Sequence, residues 1–217
     1  MSQAAESSPL RPEHFRRQDE SDDALFYREP RLVTHIDDAA IEAVSRFYGE
    51  LIPPHARILD LMTSWVSHLP ASLRPAGVAG LGMNAEELAQ NPVLTERIVQ
   101  DLNRDPVLPW ADSTFDAAIV TVSVQYLTAP PLVFAEVGRV LKPGAPFAVA
   151  YSNRCFPTKA VAAWLSLDSR AQAELIGLYF RLAGTFTPPQ AFDISPGPGS
   201  DPMFVVVARR LPVIPGA

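Results

Sequence analysis

The sequence is poor in cysteine and contains no long apolar run. Cys155 is its one cysteine, so no disulfide can form within the chain. No apolar stretch approaches the roughly 18 residues needed to cross a bilayer. Residues 1–20 are polar and charged and lack the apolar segment of a secretory signal. These absences predict a cytoplasmic protein with no membrane partner.

Several signatures of site chemistry are missing as well. The histidines and the cysteine do not cluster at metal-ligand spacing, and there is neither a Gly-x-Ser-x-Gly elbow nor a phosphate-binding loop. The formal net charge is −6, so the summed field repels a phosphate backbone. The sequence therefore predicts no metal site and no nucleic-acid partner. It carries no signal for the oligomeric state.

The length and composition favour one domain. The chain has 217 residues, of which 47% are hydrophobic, which is enough for one core. Residues 1–22 combine charged and polar types with few apolar ones, which predicts a mobile N-terminal arm. Residues 23–217 are expected to form a single domain, with prolines placed mostly between its apolar segments.

Apolar segments and helical patterns alternate along this domain. Apolar residues recur at helical spacing over 37–51, and Asp37 is placed to cap that helix. Further helices are predicted over 64–69, 84–90 and 131–141, and two more within 159–182 around residues 167–169. Short apolar runs predict buried, mostly parallel strands at 57–61, 77–81, 97–100, 115–120 and 146–151. Segments 191–194 and 204–208 predict an antiparallel hairpin at the sheet edge. The alternation indicates a doubly wound α/β fold.

A series of local motifs points to one family. The first strand ends in Asp60, the second ends near Leu81, and Asp101 follows the third. Residues 108–116 read Leu-Pro-Trp-Ala-Asp-Ser-Thr-Phe-Asp, and residues 141–144 read Leu-Lys-Pro-Gly. In this order the motifs resemble the class I S-adenosylmethionine-dependent methyltransferase superfamily over about residues 37–209. The resemblance implies a Rossmann-like seven-stranded sheet, S-adenosylmethionine as cofactor and a small-molecule methyl acceptor.

Two positions depart from the family pattern. The family loop after the first strand reads Asp-x-Gly-x-Gly, whereas residues 60–64 read Asp-Leu-Met-Thr-Ser. After the second strand the family carries an acidic residue that grips the ribose, and Gly82 stands in that place. Asn84 either replaces this carboxylate or only caps the following helix.

The resemblance implies a set of ligand contacts around the carboxyl ends of the strands. Asp101 and Leu102 resemble the pair that meets the adenine, and the alternative for Asp101 is a solvated loop residue beside Arg104. The full set of implied cofactor residues is Asp60, Met62, Thr63, Gly82, Met83, Asn84, Asp101, Leu102 and Ser123.

Candidate acceptor contacts come from three segments. Residues 26–37, here called the lid segment, precede the first long helix and are dense in functional residue types. His35 is a candidate general base, or a structural histidine, and Tyr126 is a second catalytic candidate. The expected substrate contacts are Tyr27, Arg28, Arg31, Gln125, Tyr151, Asn153 and Arg154.

Two functions remain open. The first is methyl transfer from S-adenosylmethionine, in which the protein mainly aligns the reactants. The second is a methyltransferase-like binding protein without transferase activity, which the two departures favour. A nicotinamide dehydrogenase would need a Gly-x-Gly-x-x-Gly turn after the first strand, and none is present.

Overall fold

The computed structural model of the protein describes residues 9–212. It contains one seven-stranded sheet in the order β3-β2-β1-β4-β5-β7-β6. The strands are β1 (Arg57–Leu61), β2 (Gly77–Gly82), β3 (Glu96–Val99), β4 (Ala117–Thr121), β5 (Pro146–Tyr151), β6 (Gln190–Asp193) and β7 (Phe204–Arg209). The helices are α1 (Asp23–Phe26), α2 (Asp38–Leu51), α3 (Ala85–Gln90), α4 (Pro130–Val140), α5 (Ala162–Leu165) and α6 (Ser169–Ala183).

The sheet has the doubly wound topology that the sequence predicts. Strands β1 to β5 run parallel, and β7 pairs antiparallel with both β5 and β6. Apolar side chains on its two faces form two buried clusters. The strand order reverses between β1 and β4, and ligands bind beyond the carboxyl ends of the strands at such a point.

Side-chain caps fix the start of the main helices. The Asp37 carboxylate accepts from the Ala40 amide at 2.8 Å, which confirms the predicted start of α2. The predicted helix over 64–69 is wrong. His68 has φ 52°, which a right-handed helix cannot contain, and Ser64 and Ser67 bond to side chains of the α3 region. No helix within residues 9–212 is both long and apolar enough to cross a bilayer.

Residues 9–22 of the predicted N-terminal arm lie against the domain. Arg17 and Lys159 share the buried Asp23 carboxylate, with nitrogen-to-oxygen distances of 2.7 and 3.1 Å. Lys159, whose side chain is 0% exposed, also lies 3.1 Å from Asp19. These ion pairs fasten the segment before α1 to the loop before α5. Residues 1–8 lie outside the described part of the chain.

We expect Lys159→Met to lower the free energy of unfolding by about 3–5 kcal/mol, because it leaves Asp19 and Asp23 without their shared buried cation. Urea unfolding measures the loss. Lys142→Met is the control, since Lys142 makes a half-exposed pair with Asp116 and should cost less than about 1 kcal/mol. Equal losses in the two variants would contradict a structural role for the buried network.

Candidate functional site

A large cleft lies at the carboxyl ends of β1, β2 and β4. It contains about 1140 Å³ of empty space, part of it open to solvent. Its walls come from the lid segment, the loop after β1, the segments after β2, β3 and β4, and Phe156.

The loop after β1 keeps a glycine-like backbone without glycine. Met62 occupies the first glycine position of the family pattern and has φ 54°, a conformation that glycine adopts without strain. The Thr63 hydroxyl donates to the Asp60 carboxylate at 2.6 Å, and the Thr63 amide donates to the Leu81 carbonyl at 2.9 Å. These bonds hold the loop against β2.

The two departures from the family pattern are physically linked. A Cβ atom added to Gly82 would overlap the carbonyl oxygen of Thr63. A carboxylate side chain therefore cannot stand at position 82 while the loop after β1 has this path. Position 82 requires glycine because the loop after β1 lies across it.

Asn84 and Glu87 connect this loop to the lid segment. The side-chain oxygen of Asn84 caps α3. The side-chain Nδ2 of Asn84 donates to the backbone carbonyls of Tyr27 and Arg28 at 2.9 and 3.0 Å. Glu87 accepts from the Arg31 amide and from the Ser64 hydroxyl, both at 2.7 Å. The amide of Asn84 is thus committed to the cap and the lid rather than turned toward the cleft.

The segment after β3 presents a carboxylate and a free amide. One Asp101 oxygen accepts from the Asn103 amide at 2.9 Å, and Asp101 lines the cleft. The Leu102 amide donates no hydrogen bond to any residue in the described part of the chain, and Leu102 also lines the cleft. Arg104 pairs with Asp22 at 3.3 Å instead of with Asp101. This arrangement can accept from one ligand atom and donate to its neighbour.

Burial sets the protonation of the groups around the cleft. It raises the pKa of Asp60 to about 7, and it raises the pKa of the Tyr126 hydroxyl to about 12. Burial lowers the pKa of His35 below its usual 6.5, so this imidazole is neutral at neutral pH and can accept a proton. Tyr126 stays protonated, and its oxygen accepts from the Phe156 amide at 2.8 Å.

Polar atoms without partners and strained backbone positions collect at this cleft. The Arg31 Nη1, His68 Nδ1 and Ser123 Oγ atoms are buried without a hydrogen-bond partner, and all three residues line it. Val122 also lines it and has φ 46°, a costly conformation for a β-branched residue. Buried polar atoms normally have hydrogen-bond partners, so these three atoms are available to bond to a ligand in the cleft.

Comparisons with known proteins agree with this geometry. Residues 73–149, from before β2 into β5, match the methyltransferase domain family. This match is consistent with the resemblance of the sequence motifs to the class I S-adenosylmethionine-dependent methyltransferase superfamily. No curated protein matches this chain in sequence.

Several solved structures share the fold at low sequence identity. A chain from the complex of the Haloferax volcanii Trm112 methyltransferase activator with a putative methyltransferase superposes with TM-score 0.60 and 14% identity, covering 81% of this chain and 92% of that chain. The [4+2]-cyclase SpnF gives TM-score 0.58 and 17% identity, with coverages of 85% and 90%. Geranyl diphosphate C-methyltransferase from Streptomyces coelicolor A3(2) gives TM-score 0.58 and 14% identity, with coverages of 87% and 97%.

Most of the site residues that the sequence predicts line this cleft. From the lid segment these are Tyr27, Arg31 and His35. From the strand ends they are Asp60, Met62, Thr63, Gly82, Met83, Asp101, Leu102, Ser123 and Tyr126. Their convergence shows that the predicted strand ends meet at one edge of the sheet. Which ligand they bind remains a prediction.

Six nominated residues do not line the cleft. Gln125 is buried and donates to the Val122 carbonyl at 2.9 Å. Tyr151 is buried, and its hydroxyl donates to the Ser169 carbonyl at 2.6 Å. The remaining four are Asn84, which caps α3, the exposed Arg28 and Asn153, and Arg154, which lies 3.4 Å from Asp201. These side chains therefore lie outside the cleft wall of this structure, and their expected contacts with cofactor or acceptor stay predictions.

Sequence reasoning missed three residues that shape the site. Glu87 joins the loop after β1 to the lid segment, and Phe156 lies between the lid segment and Tyr126. Asn103 donates to the Tyr126 carbonyl at 3.0 Å and to Asp23 at 3.1 Å. Glu87 follows Asn84 by three residues, which is the capping-box spacing, but its partners come from distant parts of the chain.

We expect Gly82→Ala to lower the free energy of unfolding by about 2 kcal/mol or more, because the new methyl group meets the Thr63 backbone. Chemical denaturation measures this loss. Gly177→Ala in α6 is the control, since its Cβ would meet the flexible end of Arg181 at 3.3 Å and Pro189 Cγ at 3.4 Å, an ordinary contact distance, and alanine favours a helix. A Gly82→Ala protein as stable as the wild type would contradict the loop path.

We expect His68→Asn to remove a loss of stability in acid. Burial lowers the pKa of His68 to about 4, so below pH 6.5 the unfolded chain binds a proton that the folded chain refuses. That difference costs up to about 3 kcal/mol between pH 6.5 and pH 4, and asparagine tolerates the left-handed backbone there. Urea unfolding of both proteins at pH 7 and pH 4.5 measures it.

His55→Asn is the control for the backbone effect of asparagine in this experiment. His55 is exposed and has φ 59°, close to the 52° of His68. A stability difference between His68→Asn and the wild type that is the same at both pH values would contradict the buried, neutral state of His68.

Proposed function

We propose that the protein transfers a methyl group from S-adenosylmethionine to a small-molecule acceptor bound in the same cleft. The observation that carries this proposal is the cleft at the strand-order reversal, where Asp101 and the unpaired Leu102 amide lie opposite the loop after β1. The methyltransferase domain match covers the segments after β2, β3 and β4, which include Asp101 and Leu102.

The cleft residues fit the cofactor at its adenine end. The free Asp101 oxygen can accept from an exocyclic amine, and the Leu102 amide can donate to a ring nitrogen. Ser123 Oγ offers a further buried group without a partner. At the ribose end no carboxylate is available, because Gly82 has no side chain and both Glu87 oxygens already accept hydrogen bonds. We infer that the ribose hydroxyls are held by backbone groups.

The acceptor side of the cleft supplies one base and one hydroxyl donor. The sulfonium of S-adenosylmethionine supplies an activated methyl group, so the protein needs alignment and, for a poorly ionised acceptor, proton removal. His35 is neutral at neutral pH and can take that proton. Tyr126 keeps its proton and can donate a hydrogen bond to the acceptor. The lid segment contributes Tyr27, Arg31 and His35 to the cleft wall and can help to align the reactants.

A second candidate function is binding or catalysis without methyl transfer. The missing ribose carboxylate favours it, and a protein named as a [4+2]-cyclase shares the fold. A fold of this type does not fix the reaction, so cofactor binding and transfer need separate tests.

We expect S-adenosylhomocysteine to bind in the micromolar range and Asp101→Ala to weaken that binding about tenfold, because the adenine amine loses a charged acceptor. Isothermal titration calorimetry measures both affinities. Asp116→Ala is the control, since Asp116 accepts from the Arg57 amide and from Lys142, away from the cleft. It should lower stability and leave affinity within about twofold of the wild type.

Undetectable heat with S-adenosylmethionine and S-adenosylhomocysteine at millimolar concentration would contradict the proposed function and favour the second candidate. Equal affinities of wild type and Asp101→Ala would remove the adenine assignment alone. Binding without turnover across a panel of oxygen, nitrogen and carbon acceptors would favour a binding role for the same cleft.

A further inference from the structure

Arg31 places a cation in the cleft wall without an anionic partner. Its Nη2 donates to the Phe26 carbonyl at 2.8 Å, while its Nη1 is buried and has no hydrogen-bond partner. No carboxylate among residues 9–212 forms an ion pair with this guanidinium. Glu87 approaches Arg31 only at its backbone amide.

Two cations whose side chains are buried, Lys159 and Arg17, are paired with carboxylates. Lys159 has two carboxylates within 3.1 Å, and Arg17 lies 2.7 Å from Asp23. A charge taken from water normally needs such a partner, because desolvation costs several kcal/mol per ion. Arg31 therefore differs from the cations that serve only to hold the fold together.

Three aromatic rings lie around the Arg31 guanidinium. Its guanidinium carbon lies 4.5 Å from the ring centre of Phe26, 5.5 Å from that of Phe156 and 5.9 Å from that of Tyr27. The rings stabilise the cation through their faces but offer no oxygen to the free N–H groups. An oxyanion placed beside Nη1 would complete the coordination with a charge-assisted hydrogen bond.

The free guanidinium nitrogen belongs to the acceptor half of the cleft. Phe156, which contacts Arg31, also contacts the ring of His35 at 5.3 Å and that of Tyr126 at 6.0 Å. The base and hydroxyl candidates therefore share one aromatic wall with Arg31. Asp101 and Leu102, on the adenine side, make no such contact with this wall.

We propose that Arg31 binds a carboxylate of the methyl acceptor and that the acceptor is a small aromatic or otherwise planar carboxylic acid. The carboxylate pairs with Nη1, and the planar group lies against Phe156, between Arg31 and His35. This inference rests on the proposed function, because it assigns the acceptor half of a cleft whose other half holds the cofactor.

Benzoate is the probe, with benzamide as its uncharged counterpart of the same shape. We expect the wild type, saturated with S-adenosylhomocysteine, to bind benzoate at least about tenfold more tightly than benzamide. Arg31→Gln should weaken benzoate binding about tenfold and leave benzamide unchanged. Arg28→Gln, at an exposed position three residues away, removes the same charge and should leave both affinities unchanged. Calorimetry measures all four.

The cofactor has a carboxylate of its own, so a second comparison separates the two sources. Arg31→Gln should leave the affinities for S-adenosylhomocysteine and for 5′-methylthioadenosine, which lacks the amino-acid half, as they are in the wild type. Weaker binding of S-adenosylhomocysteine alone would assign Arg31 to the cofactor and overturn the acceptor assignment. Absence of saturable benzoate binding, or equal binding by Arg31→Gln and wild type, would also overturn it. Failure of S-adenosylhomocysteine to bind the wild type would instead count against the proposed function.

Discussion

The carbonyl of Thr63 lies against the backbone of Gly82, and the rest of the site depends on this contact. It holds the loop after β1 across the end of β2, where only glycine has room. Met62 consequently takes the left-handed conformation that keeps the chain on its path. Ser64 then reaches Glu87, and Glu87 in turn accepts from the backbone of the lid segment. One backbone contact thus connects the altered loop after β1 with the absence of a carboxylate at position 82 and with the position of the lid segment.

Hydrogen bonds and ion pairs fix the lid segment, and none of the ion pairs within residues 9–212 involves Arg31. Buried ion pairs around Asp23 fasten the segment before the lid, and Trp65 and Asn84 bond to lid carbonyls. The Arg31 guanidinium adds one bond to the lid backbone, from Nη2 to the Phe26 carbonyl, and its Nη1 has no hydrogen-bond partner within residues 9–212. His35, Tyr126 and Arg31 all contact Phe156, in the half of the cleft where we propose that the acceptor binds. One nitrogen of Arg31 thus supports the lid, while the other is available to a ligand.

The fold and most of the cleft follow from local sequence signals. Apolar strands that end in Asp60 or lead to Asp101 share one sheet edge in any parallel arrangement, so their convergence is predictable. The orientations of side chains inside short connections are harder to predict from the sequence. Tyr151 and Gln125 turn into the core because Ser169 and Val122 offer carbonyl partners there.

The other differences between the local sequence pattern and the structure have a common cause, which is contact with distant parts of the chain. Residues 64–69 have helical spacing, but the partners of Ser64 and Ser67 lie on and just after α3 and replace the helix bonds. Residues 9–22 have the composition of a mobile arm, but Lys159, far along the chain, supplies the charge that holds them. Neither partner is visible in the local pattern. The substitution of Met62 for glycine is visible in the sequence, whereas its link to Gly82 needs the structure.

We propose that the cleft holds a methyl donor although no carboxylate side chain binds the ribose hydroxyls. Calorimetric titration of the wild type with S-adenosylhomocysteine and with its 2′-deoxyribose analogue tests it most directly. We expect both ligands to bind in the micromolar range, with affinities within about threefold of each other. The reason is that removal of the 2′-hydroxyl leaves no buried carboxylate without its partner. A loss of about a hundredfold for the deoxy analogue, as expected when a buried charged acceptor is left unpaired, would contradict it.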